Sequence, residues 1–424
     1  MTAAAPTGRR VSVLHCAPVV LPITAQPVID GAVAIAGDRI RAVGRRADLL
    51  SAYGDAKVRD WPGVLLPGLV NAHAHIEYTD FADMADSAKP FAEWIREVTA
   101  RRATFTAAMW LESSRRGVHQ LLSTGTTSVA DIVTHGPALA AVAAAGLAGI
   151  SYIEMVGVDE GRWPAALDTL LGHLAAAPAG RTLGISPHAP FTLGTEVLRR
   201  LGALARERGL RLHVHVAESA AEGEFVRTGG GPFGPQPAGF TLELELRGVG
   251  CGLTPAQYVD SLGLLGPDVH VAHGVHVDAA DRALLRSRGS AVALCPRSNA
   301  ILSAGDAPVA DYLAEGNALG VGTDSLASSP SLDLLEELRA LRDLAEKQGA
   351  PYEGLSRRLV EVATVGGAAA MGLADVGRLE PGARADLAAF DVPVDGDPFE
   401  ALVSAGAGHC VATVLGGRIV HRRH

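Results

Sequence analysis

Short apolar runs recur along this chain, some alternating with polar residues and some unbroken, and stretches of helical period separate many of them. From Val11 to about Trp61 the runs are brief: Gly31-Ala32-Val33-Ala34-Ile35, a Gly37-Asp38 turn, then Ile40-Arg41-Ala42-Val43. This pattern predicts a small sheet. Gly377 to Phe390 (GRLEPGARADLAAF) and Val411 to Val420 (VATVLGGRIV) repeat it at the other end. The two termini, residues 1–62 and 372–424, are therefore expected to pair into one small flanking β-sandwich domain.

Between them the rhythm becomes strand, loop, helix. Candidate strands are 64–70, 126–132, 147–153, 182–186, 211–216, 270–273, 290–295 and 319–322, with helical segments such as Glu196 to Arg208 in most intervals. Eight parallel strands with helical crossovers predict an α/β fold, a TIM (β/α)8 barrel over residues 63–371. A doubly wound sheet is the rival, but no Gly-rich dinucleotide fingerprint follows the first strand. Gly125-Thr126-Thr127 and Gly248-Val249-Gly250 are turn chemistry without a strand-turn-helix phosphate context. The stretch Gly229 to Phe240 (GGGPFGPQPAGF) reads as an irregular excursion after the fifth strand, either a lid over a pocket or a plain surface loop.

Composition narrows the partners. A chain of 424 residues, 48% hydrophobic, can bury a large core and carry a smaller companion domain. Its formal net charge of -9 and lack of a basic cluster argue against nucleic acid or an anionic membrane, so a small molecule is the expected partner. No stretch reaches the roughly 18 apolar residues that span a bilayer, and Met1 to Arg10 lacks the apolar middle of a signal peptide, so a cytoplasmic location is expected. Cys16, Cys251, Cys295 and Cys410 are scattered without CxxC spacing and are expected to be buried small side chains. The Ala- and Leu-rich outer helices leave room for a homodimer face.

The chemistry sits where the strands end. Asn71-Ala72-His73-Ala74-His75 follows the first apolar run, and residues two apart on a strand share a face, so His73 and His75 leave it side by side. The fourth strand ends in Pro187-His188, the fifth in His213-Val214-His215 with Glu218 beyond, the sixth in His273-Gly274-Val275-His276 and the eighth in Gly322-Thr323-Asp324. In a barrel these are the positions of active sites. Two histidines, a third from the fifth strand and the carboxylate of Asp324 form an N3O set suited to one divalent metal ion, Zn²⁺ or Fe²⁺, in an open site with room for water.

The PGLVNAHAH, HVHVAE, VAHGVH and GVGTDS segments together resemble the amidohydrolase superfamily, in its branch of mononuclear deaminases acting on ring amidines, over essentially the whole chain. The resemblance implies His73, His75, His215 and Asp324 as metal ligands, with Asp324 also the proton acceptor, Glu218 as the proton-handling carboxylate and His273 as a non-ligand imidazole beside the nucleophile. His213 shares a strand face with His215 and is the alternative third imidazole; the HxxE spacing picks His215. Several members bridge two metals with a carboxylated lysine on the fourth strand, but the lysines here, Lys57, Lys89 and Lys347, do not lie there. His188 occupies that region instead, where related deaminases place a substrate-contacting histidine.

Substrate residues are the less constrained part. Phe91-Ala92-Glu93-Trp94-Ile95 matches an acidic-Trp segment of thioadenosine and adenosylhomocysteine deaminases, which implies that Glu93 binds ribose hydroxyls; the alternative is a solvated carboxylate. Glu154 either faces a polar group of the ligand or merely caps a helix start. HxHxEYxDF after the first strand, SYIEMVG, SPHAPFT, CPRSN, GTDSLAS and FAEWIREVTARR together resemble the aminodeoxyfutalosine deaminases of menaquinone biosynthesis, which implies a purine nucleoside substrate. Glu77-Tyr78 stands where adenosylhomocysteine-type relatives usually carry a Met-containing stretch, and Ser328-Ser329 where an Asn is common. Adenosine-, guanine- and chlorohydrolase-type amidine substrates are the rival readings, and a catalytically silent binding module is the rival of another class.

Overall fold

Eight parallel strands close into a barrel in the computed structural model, which describes residues 10–85, 90–234 and 242–423. They are β1 (Leu69–Ala74), β2 (Thr126–Val133), β3 (Ala148–Met155), β4 (Thr182–Pro187), β5 (Arg211–Val216), β6 (Val269–His273), β7 (Ala291–Leu294) and β8 (Leu319–Val321). Closure is made by β8 against β1, with Val321 opposite Asn71. Helices cover the outside, so β2 is buried along its full length and reads in sequence as a run without alternation. The helix Thr195–Glu207 shows how the cover is held: Val197, Leu198, Leu201 and Ala205 form its buried stripe, and Arg199, Arg200 and Arg206 stay on its outer side.

The strand expected over 64–70 is two strands in different sheets. Val64–Pro67 pairs with Val13–Val20 on one side and with Leu387–Phe390 on the other, whereas Leu69–Ala74 belongs to the barrel. Pro67 has no amide hydrogen to continue a ladder. The change of sheet happens at Gly68, where a Cβ would fall 2.0 Å from Thr127 Oγ1, so only glycine permits the close pass against β2. An unbroken apolar run hides this switch, because both sheets want the same residue types.

The second sheet runs Arg418–Arg422, Cys410–Leu415, Leu387–Phe390, Val64–Pro67, Val13–Val20, Val28–Ala36, Arg39–Arg45, with Lys57–Asp60 beside Val13–Val20. Both termini enter it, joined through Val64–Pro67. The sheet curls over its own core: Val33 and Ile35 share one apolar cluster with Ala412 and Val414, four strands away along the sheet. Among the cysteines, Cys16, Cys295 and Cys410 are buried as expected, but Cys251 is exposed, on the loop that follows the helix Ala220–Thr228.

Gly322 couples the barrel seam to the site. A Cβ there would lie 2.6 Å from the His73 Cβ and 2.7 Å from its carbonyl oxygen. Gly322→Ala is expected to destabilise the barrel by about 1–3 kcal/mol through overpacking, read as a lowered thermal unfolding midpoint. An unchanged midpoint would mean that β1 and β8 separate there without cost.

Candidate active site

The carboxyl ends of β1, β5, β6 and β8 bring His73, His75, His215, Glu218, His273 and Asp324 to one floor, all buried. Asn71 ties the seam beneath them: its Nδ2 donates to Thr323 Oγ1 at 2.8 Å, and its Oδ1 accepts from the backbone N–H of His73 and of Thr323. Asp324 N–H donates to the His73 carbonyl at 3.0 Å. His273 and Asp324 both hold left-handed backbone, φ 71° and 57°. Non-glycine residues take that region at a cost of about 1–3 kcal/mol, so the surrounding bonds over-determine both side-chain directions.

Four donor atoms converge there. His75 Nε2 is 3.3 Å from His215 Nε2, and Asp324 Oδ1 is 3.5 Å from His73 Nε2 and 3.6 Å from His75 Nε2. Ligands held about 2.0–2.1 Å from one tetrahedral cation stand about 3.3–3.4 Å apart. Each donor is turned inward by a bond on its far side. His215 Nδ1 donates to the His188 carbonyl at 3.1 Å, leaving the Nε2 lone pair facing the floor. His73 Nδ1 is bonded to His213 Nε2 at 2.9 Å, and His73 Nε2 is a buried atom with no hydrogen-bond partner. Asp324 Oδ2 accepts from Ser298 Oγ at 2.6 Å and Ser328 Oγ at 3.1 Å, which leaves Oδ1 for the centre.

Protonation agrees with this geometry. Burial holds the imidazoles of His73, His75 and His215 below their ordinary range, His75 at about 4, so all are neutral and have lone pairs to give. Burial would raise the Asp324 carboxyl, yet the imidazole of His73 beside it, and then those of His273 and His75, bring it well below its usual range. An unprotonated N3O set in a dry floor fits a divalent cation. His213 stands outside that set, behind His73, with its ring 3.8 Å from the His270 ring and tilted 36° to it. Of the lysines, Lys57 lies in the flanking sheet and Lys347 pairs with Asp306, while Lys89 falls outside the described residues.

Glu218 and His273 face each other across the floor, with Nε2 3.6 Å from Oε1. Burial, and then the charges of Asp324 and Glu222, push the Glu218 carboxyl well above its ordinary value, so it is held protonated. Glu222 fixes its backbone by accepting from the N–H groups of Ala217 and Glu218, both at 2.9 Å. His273 Nδ1 donates to Asn299 Oδ1 at 3.0 Å, which leaves its Nε2 as an acceptor above the floor. Asn299 and Ser298 carry no role in the sequence reading. The CPRSN segment after β7 was their only signal, since a polar pair at a helix start also reads as capping.

Above this floor opens a cavity of about 670 Å³, mouth included, whose walls include Tyr78, Phe91, Trp94, Arg102, Glu154 and His188. An apolar wall with a few convergent polar groups is the make-up of a small-molecule site. Burial, then the Arg102 charge, lowers the His188 imidazole to about 3, so it meets the cavity uncharged. Glu154 accepts from Thr134 Oγ1 at 2.9 Å through one oxygen; the other is buried without a partner. Glu93 is not in the wall. The helix Phe91–Arg102 turns Phe91, Trp94, Ile95, Val98, Thr99 and Arg102 to the cavity, and Glu93 lies exposed on the opposite side. Its expected reach to ribose hydroxyls is not what the structure places there. Glu77 is likewise structural, accepting from the backbone N–H of Thr134 and His135. In the excursion read as a lid or a plain loop, Gly231–Phe233 forms a single 3₁₀ turn with Phe233 stacked on Phe191 at 4.1 Å, and residues 235–241 lie outside the described residues.

Comparison with known proteins agrees with this architecture. Residues 64–420 match the model of the Amidohydrolase family, and residues 31–56 match the imidazolonepropionase-like composite domain of bacteria. A 5-methylthioadenosine/S-adenosylhomocysteine deaminase of Pelotomaculum thermopropionicum is 34% identical over 372 residues, 85% of this chain and 80% of that protein. Among solved structures, Helicobacter pylori aminofutalosine deaminase with methylthio-coformycin superposes with TM-score 0.83 at 21% identity, covering 96% of this chain and 100% of that one. A zinc-bound adenosine deaminase from Xanthomonas campestris gives 0.82 at 23%, covering 98% and 94%. At those identities the two structures speak for the fold alone. The chain belongs to the amidohydrolase family.

Proposed function

We infer that this chain is a metal-dependent aminohydrolase that removes the exocyclic amine from the adenine ring of a purine nucleoside, with 6-aminodeoxyfutalosine, a precursor in menaquinone biosynthesis, as substrate. The observation that carries the reaction type is the pairing of a protonated Glu218 with a neutral His273, 3.6 Å apart, over an unprotonated N3O donor set. His73, His75, His215 and Asp324 would hold the metal, zinc or iron. The motifs after β1, β3, β4, β7 and β8 support the aminodeoxyfutalosine reading. A second reading, deamination of methylthioadenosine or adenosylhomocysteine, has the support of relatives so named at 34% identity.

When bound, a divalent cation lowers the pKa of a ligated water towards ~7 and so supplies hydroxide near neutral pH. Asp324 takes one water proton at Oδ1, because Oδ2 is already engaged by the two seryl hydroxyls. His273 Nε2 accepts the remaining O–H and steers the oxygen at the amidine carbon. As the carbon–oxygen bond forms, Glu218 donates its proton to the adjacent ring nitrogen, where negative charge would otherwise develop in a dry site. On collapse, the proton on Asp324 passes to the amine, the carbon–nitrogen bond breaks and ammonia leaves. The Glu218 carboxylate recovers a proton from the new hydroxyl, which becomes the ring carbonyl. His188 and Tyr78, both in the cavity wall, would hold the ring by edge and face.

Glu218→Gln should keep its metal and lose turnover by about two orders of magnitude or more, as measured by ammonia release together with metal analysis; turnover near wild type with full metal would remove Glu218 from the mechanism. Asn299→Ala should lower kcat by about tenfold or more while KM and metal content hold, since it frees only the His273 ring. Dialysis against a chelator should abolish activity and lower the unfolding midpoint, with both restored by Zn²⁺ or Fe²⁺. Loss of the adenine absorbance band with aminodeoxyfutalosine, methylthioadenosine, adenosylhomocysteine and adenosine in parallel ranks the two substrate readings. Indifference to all four would direct the search to other amidines.

A further inference from the structure

Among the described residues of the cavity wall, Arg102 alone carries a fixed positive charge, and the reaction proposed above does not use it. It ends the helix Phe91–Arg102, half-buried, on the face that lines the cavity. Its neighbour Arg101 is satisfied: the guanidinium holds Asp83 at 2.6 and 2.7 Å and the Asp80 carbonyl at 2.9 Å. The Arg102 guanidinium makes no hydrogen bond or ion pair among the described residues, and it lies 5.8 Å over the Tyr78 ring. A basic residue in the last turn of a helix suits the macrodipole, but that role asks only for a solvated side chain. The Glu154 and Glu77 carboxylates act on Arg102 by charge without a hydrogen bond to it, and a guanidinium drawn out of water without direct bonds costs stability.

The Glu154 carboxylate lies on the floor, with an oxygen within 4.8 Å of ring nitrogens of His75 and His215. Tyr78 stacks on His75 at 5.6 Å, and the Arg102 guanidinium lies over the Tyr78 ring at 5.8 Å. A nucleoside whose amidine carbon meets the floor would carry its sugar substituent outward past that ring. Phe91 and Trp94, stacked at 5.9 Å, add an apolar wall on the same helix face.

We propose that Arg102 selects purine nucleosides whose sugar substituent ends in an anion, a carboxylate above all, by clasping it through two parallel N–H bonds. The assignment rests on the aminohydrolase reading and narrows its substrate class: neutral nucleosides lack the partner that Arg102 offers, and a carboxylate-bearing one supplies it. Tyr78 holds the guanidinium plane by cation–π contact, so the fork is pre-set before the ligand arrives.

The test compares aminodeoxyfutalosine with its methyl ester, which keeps the shape and removes the charge. kcat/KM is measured on the metal-loaded enzyme, and equilibrium binding by calorimetry on the Glu218→Gln variant, each with Arg102 and with Arg102→Met. With Arg102 the acid should exceed the ester by about 10- to 100-fold. Arg102→Met should bring the two together by weakening the acid more than the ester, and added salt should shrink the preference only while Arg102 is present. Equal handling of acid and ester by the enzyme with Arg102 overturns the proposal and leaves the deaminase reading standing; so does a preference that survives Arg102→Met. If Arg102→Met does not fold, the acid-to-ester ratio and its salt dependence in the Arg102 protein decide alone. Absence of binding and turnover for both ligands, with adenosine and methylthioadenosine equally inert, removes the deaminase reading and this selectivity with it.

Discussion

Everything in the site depends on keeping four buried donor groups unprotonated and aimed at one point. An imidazole has two nitrogens, and only the bond on the far side decides which of them keeps its lone pair. The His188 carbonyl settles this for His215, and His213 stands at the corresponding place for His73. Asn299 does the same for His273, and the paired hydroxyls of Ser298 and Ser328 do it for Asp324. Burial makes the arrangement self-consistent, because desolvation disfavours the charged imidazolium and keeps the ring nitrogens available. The same burial acts oppositely on Glu218, which becomes a proton donor. One environment thereby yields an acid and a set of bases.

The fold supplies the aim. Parallel strands deliver side chains at their carboxyl ends, and the seam between β8 and β1 is fixed by Asn71, which bonds to both strands at once. His273 and Asp324 are strand-end residues held in left-handed backbone. A regular extension of either strand would turn the next side chain away from the floor, so the strain is what redirects it. The close pass at Gly322 belongs to the same device, since a larger residue there would push His73 out of line.

How much of this could be read from the chain follows from which signals are local. His73 and His75 are two apart on a strand, so their shared face is a matter of period, and the barrel is legible because each apolar run is followed by a helical one. His213 and His215 share a face too, and period cannot separate them; only the three-dimensional position of β1 places one beside His75 and the other behind His73. The switch of sheet at Gly68 was invisible because both sheets accept the same apolar residues, and a single glycine marks the crossing. Glu93 was misplaced for a related reason. A motif fixes a residue's position in sequence, but the rotation of its helix is set by Phe91, Trp94, Ile95 and Val98 packing inward. Ser298 and Asn299 act through partners 26 residues away, and no local pattern announces them.

The barrel interior below the floor is a further consequence of the same constraint. Small barrels usually fill their centre with branched aliphatic side chains. Here His213, His270 and Tyr152 fill part of it, with His270 Nε2 donating to the Ala72 carbonyl at 3.1 Å and Tyr152 OH 3.5 Å from His270 Nδ1. A polar layer in a dry core is costly unless its members satisfy one another, and an aliphatic residue at 213 would leave the His73 Nδ1 proton without an acceptor. The imidazole column therefore continues the tautomer control of the floor histidines down into the barrel. The polarity of the core is explained by the chemistry above it, since stability alone would favour leucine and isoleucine in those places.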